Sequence, residues 1–315
     1  MTAYLVRRLI QAIAVVFGVT VIVFLILHAL PGGPARGLLG PEATTEQVHE
    51  FIVANGYNQP VWVQYGRFID QLAHGNLGYS FHYNQTVASL LTQDLPKSAV
   101  LVGLAYLVAL IVAIPLGILQ ALRRNTVVDY VTTGASFIAY SMPSFWLGIL
   151  LILGFAVTWR LLPPEAPQGA TVAAVLSNPT AMILPVLTLA LVTIAAFSRF
   201  MRSSAIETLL QDYIRTARAM GLPERTILLR HLLRNSVIPI ITLIGLSLPA
   251  TISGAVITES VFNYPGMGLL FWTSATTHDF PVLLGATVVF AIATVVGSLL
   301  ADVLYAVADP RVRYA

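Results

Sequence analysis

The sequence predicts an all-α integral membrane protein with six transmembrane helices, and three observations carry that prediction. Of 315 residues, 57% are apolar and only 10% charged, with a mean hydropathy of +0.81, whereas a water-soluble domain carries about 25% charged residues. Six separate stretches are apolar for long enough to cross a hydrocarbon core of about 30 Å. The arginines gather in alternate connections between those stretches, as the positive-inside rule requires of an even number of crossings.

The predicted spans are Leu9–Leu30, Ser98–Leu119, Tyr130–Val157, Met182–Ala196, Ile238–Glu259 and Leu283–Ala306. The first follows Arg7 and Arg8 and so looks like the start of a signal peptide. At 22 residues, about 33 Å as a helix, it exceeds a signal h-region of about 7–15 residues, and it is expected to be a retained transmembrane helix. The fourth span is the shortest and gains length if LSNPTAMILP leads into it. Arg7, Arg8, Arg123, Arg124, Arg311, Arg313 and the seven arginines between Arg199 and Arg234 all fall on one side of the membrane. That makes 13 of 17 basic residues, so both termini are expected in the cytoplasm. This placement explains the net charge of +3 without nucleic acid. With no cysteine in the chain, disulfides and thiolate chemistry are excluded.

The expected organisation is an N-terminal tail and first helix (1–30), an extracytoplasmic cap (31–97) and a core transmembrane domain (98–315). Helix-like periodicity at Val48–Ile52 and Tyr65–Leu72 makes the long outer segment a small ordered cap rather than a tether, and loops of this length are usually functional.

The most informative stretch is 203–239, which concentrates arginine between two apolar runs. Ile206, Leu209, Leu210, Tyr213, Ile214, Ala217 and Met220 recur at spacings of three and four, one face of a helix over Ser203–Met220, with Asp212 and Arg215 placed for an i,i+3 pair. Gly221 stops that helix. Pro223 opens a second, with Glu224 at the positive end of its dipole; this second helix extends to about Asn235, and the chain re-enters the membrane at Pro239. Two readings fit. One is a surface helix pair binding anionic headgroups through arginine; the other is a bent element that seats in a groove of a partner protein. The break between the helices favours the second.

Here the sequence resembles a known family. YIRTARAMGLPERTILLRHLLRNSVIP is similar to the EAA-type cytoplasmic loop of ATP-binding-cassette importer permeases, in the dipeptide, oligopeptide and nickel branch. YLVRRL, LPGGPA, LAHGNLGYSF, SMPSFWLG, VFNYPGMG and DPRVR match that branch in the same order along nearly the whole chain. In this chain Arg215 stands where the general motif has its acidic residue, and the later proline is displaced to Pro239. The resemblance implies the type I importer permease fold, with a coupling helix at about Leu222–Asn235 seated in a separate ATPase subunit. Arg215, Ala217, Gly221, Pro223, Glu224, Arg225, Leu228 and Arg230 would form that contact. It also implies a homologous second permease, two cytoplasmic ATP-binding subunits that hold ATP and magnesium, and an extracytoplasmic binding protein docking on the 31–97 segment and the VFNYPGMG turn. The setting is a bacterial inner membrane, and no cofactor or catalytic centre belongs to this chain. The cargo implied is a di- or oligopeptide, with nickel, glutathione or an oligosaccharide as alternatives within the family.

The residues alone are compatible with that reading. A P-loop needs Gly-Lys-Ser/Thr, and the only lysine, Lys97, follows Pro96. Pro143, flanked by Ser141 and Ser144, and Pro249, near Ser247, Thr251 and Ser253, put breaks and small polar groups in spans three and five. They serve either as packing kinks or as walls of a translocation path. Glu259 and Asp302 are expected to take hydrogen-bonded or salt-bridged structural roles. No histidine arrangement suggests a metal site. An ion-coupled secondary transporter would need charges at mid-membrane and inverted repeats, and a non-transporting scaffold would leave the prolines unexplained.

Overall fold

The computed structural model describes residues 2–29, 39, 43–253 and 255–308. The motifs LPGGPA and DPRVR lie outside the described residues, as do the side chains of Pro249, Thr251, Ser253 and Asp302. The elements are α1 (Thr2–Ala29), α2 (Thr45–Ala54), α3 (Val61–Ala73), a two-residue hairpin of β1 (Tyr79–Ser80) and β2 (Gln85–Thr86), then α4 (Val87–Leu122), α5 (Val127–Ser141) and α6 (Ser144–Leu151). They continue as α7 (Val172–Leu176), α8 (Pro179–Leu209), α9 (Asp212–Ala219), α10 (Glu224–Thr226), α11 (Leu233–Ser236), α12 (Ile238–Ser253), α13 (Val256–Val261), α14 (Met267–Thr276) and α15 (Phe280–Ala308). π-helical turns at Ile152–Thr158 and Ile227–Leu232 follow α6 and α10.

Val87–Leu122, Pro179–Leu209, Glu224–Gly245 and Phe280–Leu300 are each long and apolar enough to cross a membrane. Val127–Ser141 with Ser144–Thr158 makes a fifth, broken crossing, and α1 carries the apolar run Ile13–Ala29. Among the described residues, five of the six expected crossings are thus long and apolar enough when the broken pair counts as one, and the apolar run of α1 is shorter. Their outlines differ from the sequence reading in three places, the fifth span starting at Glu224 instead of Ile238 and its helix ending at Ser253, with Glu259 in the separate helix α13. Helix α4 starts at Val87, well before Ser98, because Thr86 caps it through the Ser89 N–H at 3.3 Å and the Asp94–Lys97 pair at 2.7 Å keeps its polar first turns helical. The third span is not a single kinked helix but two helices at 106°. Met142 precedes a proline and is held extended at φ −75°, ψ 132°, and Pro143 has no N–H with which to continue the ladder.

The core is the crossing of α4 on α8. Ala105, Ala109, Ala113, Gly117 and Ala121 are all buried on α4, a strict four-residue ridge that lets the two backbones approach closely; a Cβ on Gly117 would lie 2.5 Å from the Met201 Cβ. Leu184, Ala190, Phe197, Met201 and Ala205 of α8 are buried as well. Helix α12 packs mainly on α15, and α5 packs on α8.

The outer segment forms a cap on α1. Phe24 contacts the Tyr65 and Phe68 rings of α3, Thr20 shares a 2.9 Å hydrogen bond with the Tyr65 hydroxyl, and His28 meets the Gln64 amide oxygen at 2.9 Å. The Ser80 hydroxyl donates to Asp279, fastening the hairpin to the start of α15.

Candidate functional site

The arginine-rich segment folds differently from its simplest reading. Helix α8 ends at Leu209, and Gln211 is extended at φ −71°, ψ 146°, so the expected Ser203–Met220 helix is broken before Asp212. This leaves α9 as a separate amphipathic helix of eight residues. Its inner face buries Ile214 and Ala217 against Ile227, with Leu222 closing the cluster. Gly221 sits at φ +75°, a conformation open to glycine at little cost, and nothing lies within 4 Å of where its Cβ would be. Pro223 then caps α10. The expected separate helix Leu222–Asn235 instead runs on toward α12, since Val237 keeps helical bonds to Leu233 O and from Ile241 N–H at 3.1 Å each. The isolated element is therefore α9, and the segment after Pro223 is the root of span five.

Of the residues the sequence singled out, Arg215, Gly221, Pro223, Glu224, Arg225 and Arg230 are exposed, while Ala217 is buried and Leu228 half-buried. Leu228 packs beside Ala121, Ala205 and Leu232. The Arg218 guanidinium donates to Glu224 at 2.9 Å across the Gly221 turn, and Arg215 lies 3.5 Å from Asp212. Sequence reasoning missed the apolar side chains left in the open here: Met220 is 68% exposed and Leu210 59%, with Tyr213 and Leu229 also exposed. Their signal was the position of Met220 and Tyr213 at the edges of the apolar stripe. A groove of about 1060 Å³ opens beside them, with Tyr213, Arg230, His231 and Arg234 in its wall.

This surface is tied to the transmembrane helices. Ser236 is buried and donates to the Thr208 hydroxyl at 3.0 Å, linking the root of span five to α8. Arg202 forms a bidentate pair with Asp129, Nε and Nη2 each donating at 2.8 Å, and Asp129 also accepts from Asn125 N–H at 3.0 Å and Thr133 Oγ1 at 3.1 Å. That joins the start of α5 to α8.

At the opposite end, the VFNYPGMG turn is not an open docking surface: Phe262, Tyr264 and Met267 are fully buried and Asn263 is exposed. Glu259, 0% exposed, accepts from Ser98 Oγ at 2.7 Å, Gly268 N–H at 2.7 Å, Leu269 N–H at 3.1 Å and Ala255 N–H at 3.2 Å. Ser98 in turn accepts from Met267 N–H at 2.8 Å, and the Tyr264 hydroxyl donates to Lys97 O at 2.7 Å. Burial pushes the Tyr264 phenol above its ordinary range, and the Glu259 and Asp94 charges push the same way. The glycines of the motif are needed for this closure: a Cβ on Gly266 would lie 2.5 Å from Glu259 Oε2, and one on Gly268 2.5 Å from Val256 Cα. Glu259 is thus a hydrogen-bonded structural acid.

Ser141, Pro143 and Ser144 form the elbow between α5 and α6, which packs on α8, whereas Ser247 bonds back to Leu243 O at 2.8 Å in α12, which packs mainly on α15.

Comparison with known proteins fits this architecture. Residues 113–314 match the family model described as binding-protein-dependent transport system inner membrane component, and residues 1–102 match the N-terminal model of the same kind of component. The chain is 37% identical to the oligopeptide transport system permease protein AppB of Bacillus subtilis, over all of both chains. It is 32% identical to the dipeptide transport system permease protein DppB of Escherichia coli, covering all of this chain and 99% of the relative. It is 39% identical to the probable D,D-dipeptide transport system permease protein DdpB of Escherichia coli, covering 95% and 94%. This multi-pass membrane protein belongs to the family of binding-protein-dependent transport system inner membrane components.

Proposed function

We propose that this chain is the pore-forming subunit of an ATP-driven importer for di- or oligopeptides, working by alternating access beside a homologous second permease. The observation that carries the reading is the detached helix α9. It is amphipathic, pinned to the root of span five by Ile214 and Ala217, and bordered by apolar and basic side chains that find no cover within the described residues. Such a surface suits a protein groove better than a headgroup layer, because Met220 and Tyr213 add apolar shape to the charge of the neighbouring arginines.

Each of two cytoplasmic ATPase subunits would bind ATP and magnesium and seat one permease's α9, with Arg215, Gly221, Pro223, Glu224, Arg225 and Arg230 at the contact. Motion of the ATPase would pass through Ile227 and the Ser236–Thr208 bond to α12 and α8. Ala217 and Leu228 would act inside the lever, holding its two arms together. Both termini and α9 would face the cytoplasm, since 13 of 17 basic residues fall on that side. An extracytoplasmic binding protein would deliver cargo to the α2–α3 cap.

The test is to purify the complex from its native membrane, reconstitute it in vesicles and follow ATP-dependent uptake of a labelled dipeptide delivered by the binding protein. Co-purification of ATPase subunits and ATP-dependent accumulation are expected. Purification without any ATPase subunit, or uptake driven by an ion gradient alone, would overturn the proposal.

A further inference from the structure

Helix α3 lies along α1 and leaves two cavities, one beside the end of α1 and one beside its middle. The first, of about 300 Å³, is walled by Phe24 and His28 of α1, Arg67 and Gln71 of α3, and Phe280 and Leu284 at the start of α15. The second, of about 330 Å³, is walled by Val16 and Phe17 of α1, Ile69 and Leu72 of α3, and Ile292 and Val296 of α15. The same three helices thus frame both. The Thr20–Tyr65 hydrogen bond of 2.9 Å and the stacking of Phe24 on Phe68 hold α3 against α1 at this place.

The two cavities differ in chemistry. In the first, the Arg67 guanidinium is set against the backbone of Gly56, where a Cβ would lie 2.0 Å from Nη1. Gly56 stands at φ +70° just past the end of α2, so the glycine both turns the chain and makes room for the guanidinium. Arg67 has neither an ion pair nor a hydrogen bond among the described residues, and no acidic side chain among them shares its wall. A guanidinium held in place without an anion is a preformed site for a phosphate or carboxylate. The second cavity is walled by apolar side chains except for Thr20, whose hydroxyl is already engaged with Phe17 O at 2.7 Å and with Tyr65.

The spacing of the cavities matches one leaflet. Twelve residues separate Val16 from His28, about 18 Å along a helix, and a leaflet takes up half of a hydrocarbon core of about 30 Å. His28 stands at the end of the apolar run Ile13–Ala29, so the first cavity lies at the edge of the bilayer when the second lies near its middle. Trp62, 76% exposed at the start of α3, is of the residue type that gathers at that edge. A soluble anion would fill only the first cavity and a hydrocarbon only the second, whereas a molecule with an anionic head and an apolar tail fills both. We propose that the cleft between α1, α3 and α15 binds one phospholipid, with its phosphate on Arg67 and one acyl chain running past Ile69 and Leu72 to Ile292 and Val296. The wall beside Arg67 offers no acid to a choline or ethanolamine ammonium, so the site prefers a net-anionic headgroup such as that of phosphatidylglycerol. On the proposed topology this lipid belongs to the outer leaflet, and its binding does not depend on what the chain transports.

The test uses the complete complex, purified from its native membrane in mild detergent, and a phosphatidylglycerol that carries a photoreactive group at the end of one acyl chain. Illumination should label α1 or α15 around Phe17, Ile292 or Val296, read by mass spectrometry of the peptides. Unlabelled phosphatidylglycerol should compete about tenfold better than phosphatidylcholine, the scale of one charge-assisted hydrogen bond, and inorganic phosphate should not compete. Arg67→Gln should abolish that headgroup preference, and Arg67→Lys, a point charge without the fork, should keep part of it. Val296→Trp, which fills the apolar cavity, should abolish the labelling. Label absent from these helices, equal competition by the two lipids in the wild type, or a preference unchanged in Arg67→Gln would overturn the proposal. So would competition by inorganic phosphate, which would make the Arg67 cavity a site for a soluble anion. Labelling undiminished in Val296→Trp would also overturn it, by reducing the contact to that of bulk bilayer.

Discussion

The two ends of the core are built on opposite plans. At the outer end, Glu259 is enclosed and meets four donors, Ser98 bridges it to the start of α14, and Gly266 and Gly268 have no side chains because none would fit. At the end that carries α9, Gly221 faces open space, the Arg218–Glu224 pair is exposed, and Met220 and Leu210 stand in the open. Buried polar groups that are fully paired hold one arrangement. Exposed apolar groups beside arginine are the composition of a contact awaiting its other half. The end that holds Glu259 is therefore closed within this chain, whereas the end that holds α9 leaves apolar side chains uncovered among the described residues.

That contrast can be broken at either end. The largest stability effect should come from Glu259→Ala, which orphans Ser98 and three backbone N–H groups in a closed site. A loss of about 3–5 kcal/mol is expected, read as a lower thermal-unfolding midpoint in detergent. A midpoint unchanged from wild type would mean that the outer network is not a structural lock. Asp129→Ala should follow closely, at about 2–4 kcal/mol, because it strands the half-buried Arg202. Asp129→Ala with Arg202→Leu should recover much of that loss, and a double variant no better than the single would show that the pair itself is not what matters.

At the inner end the order reverses, with small stability effects and large functional ones. Gly221→Val should insert normally and lose only about 1–3 kcal/mol through its positive φ, yet it should separate ATP hydrolysis from uptake in the reconstituted complex. Tight coupling retained by this variant would weigh against the lever. Arg218→Ala removes one exposed ion pair and should cost less than about 1 kcal/mol by the same thermal measurement. A larger loss would place the turn among the structural elements.

Much of this was legible in the sequence because it is local. The spans follow from apolar length, Gly221 marks its own turn, and Pro143 with Met142 announces an interruption. What stayed hidden depends on partners far apart in the chain. Nothing near Glu259 points to Ser98, and nothing near Asp129 points to Arg202; each pair exists only after the helices have packed. The size of the elbow was hidden for another reason: a proline permits either a kink or a break, and the packing of α6 against α8 and α13 decides between them. The end of α8 at Leu209 was masked by an apolar stripe that runs unbroken across Gln211. The alanine ridge of α4 could have been read, since its four-residue spacing is explicit, but it sits inside a stretch already counted as a span.

The chain has no cysteine, which permits a direct test of the central claim that α9 is covered and moved by an ATPase subunit. A single cysteine in place of Met220, probed with a short bifunctional crosslinker in the whole complex, should join this chain to an ATPase subunit, with a yield that changes when ATP is bound and hydrolysed. A cysteine there that reacts freely with a water-soluble thiol reagent in every nucleotide state, and never crosslinks to an ATPase subunit, would contradict it.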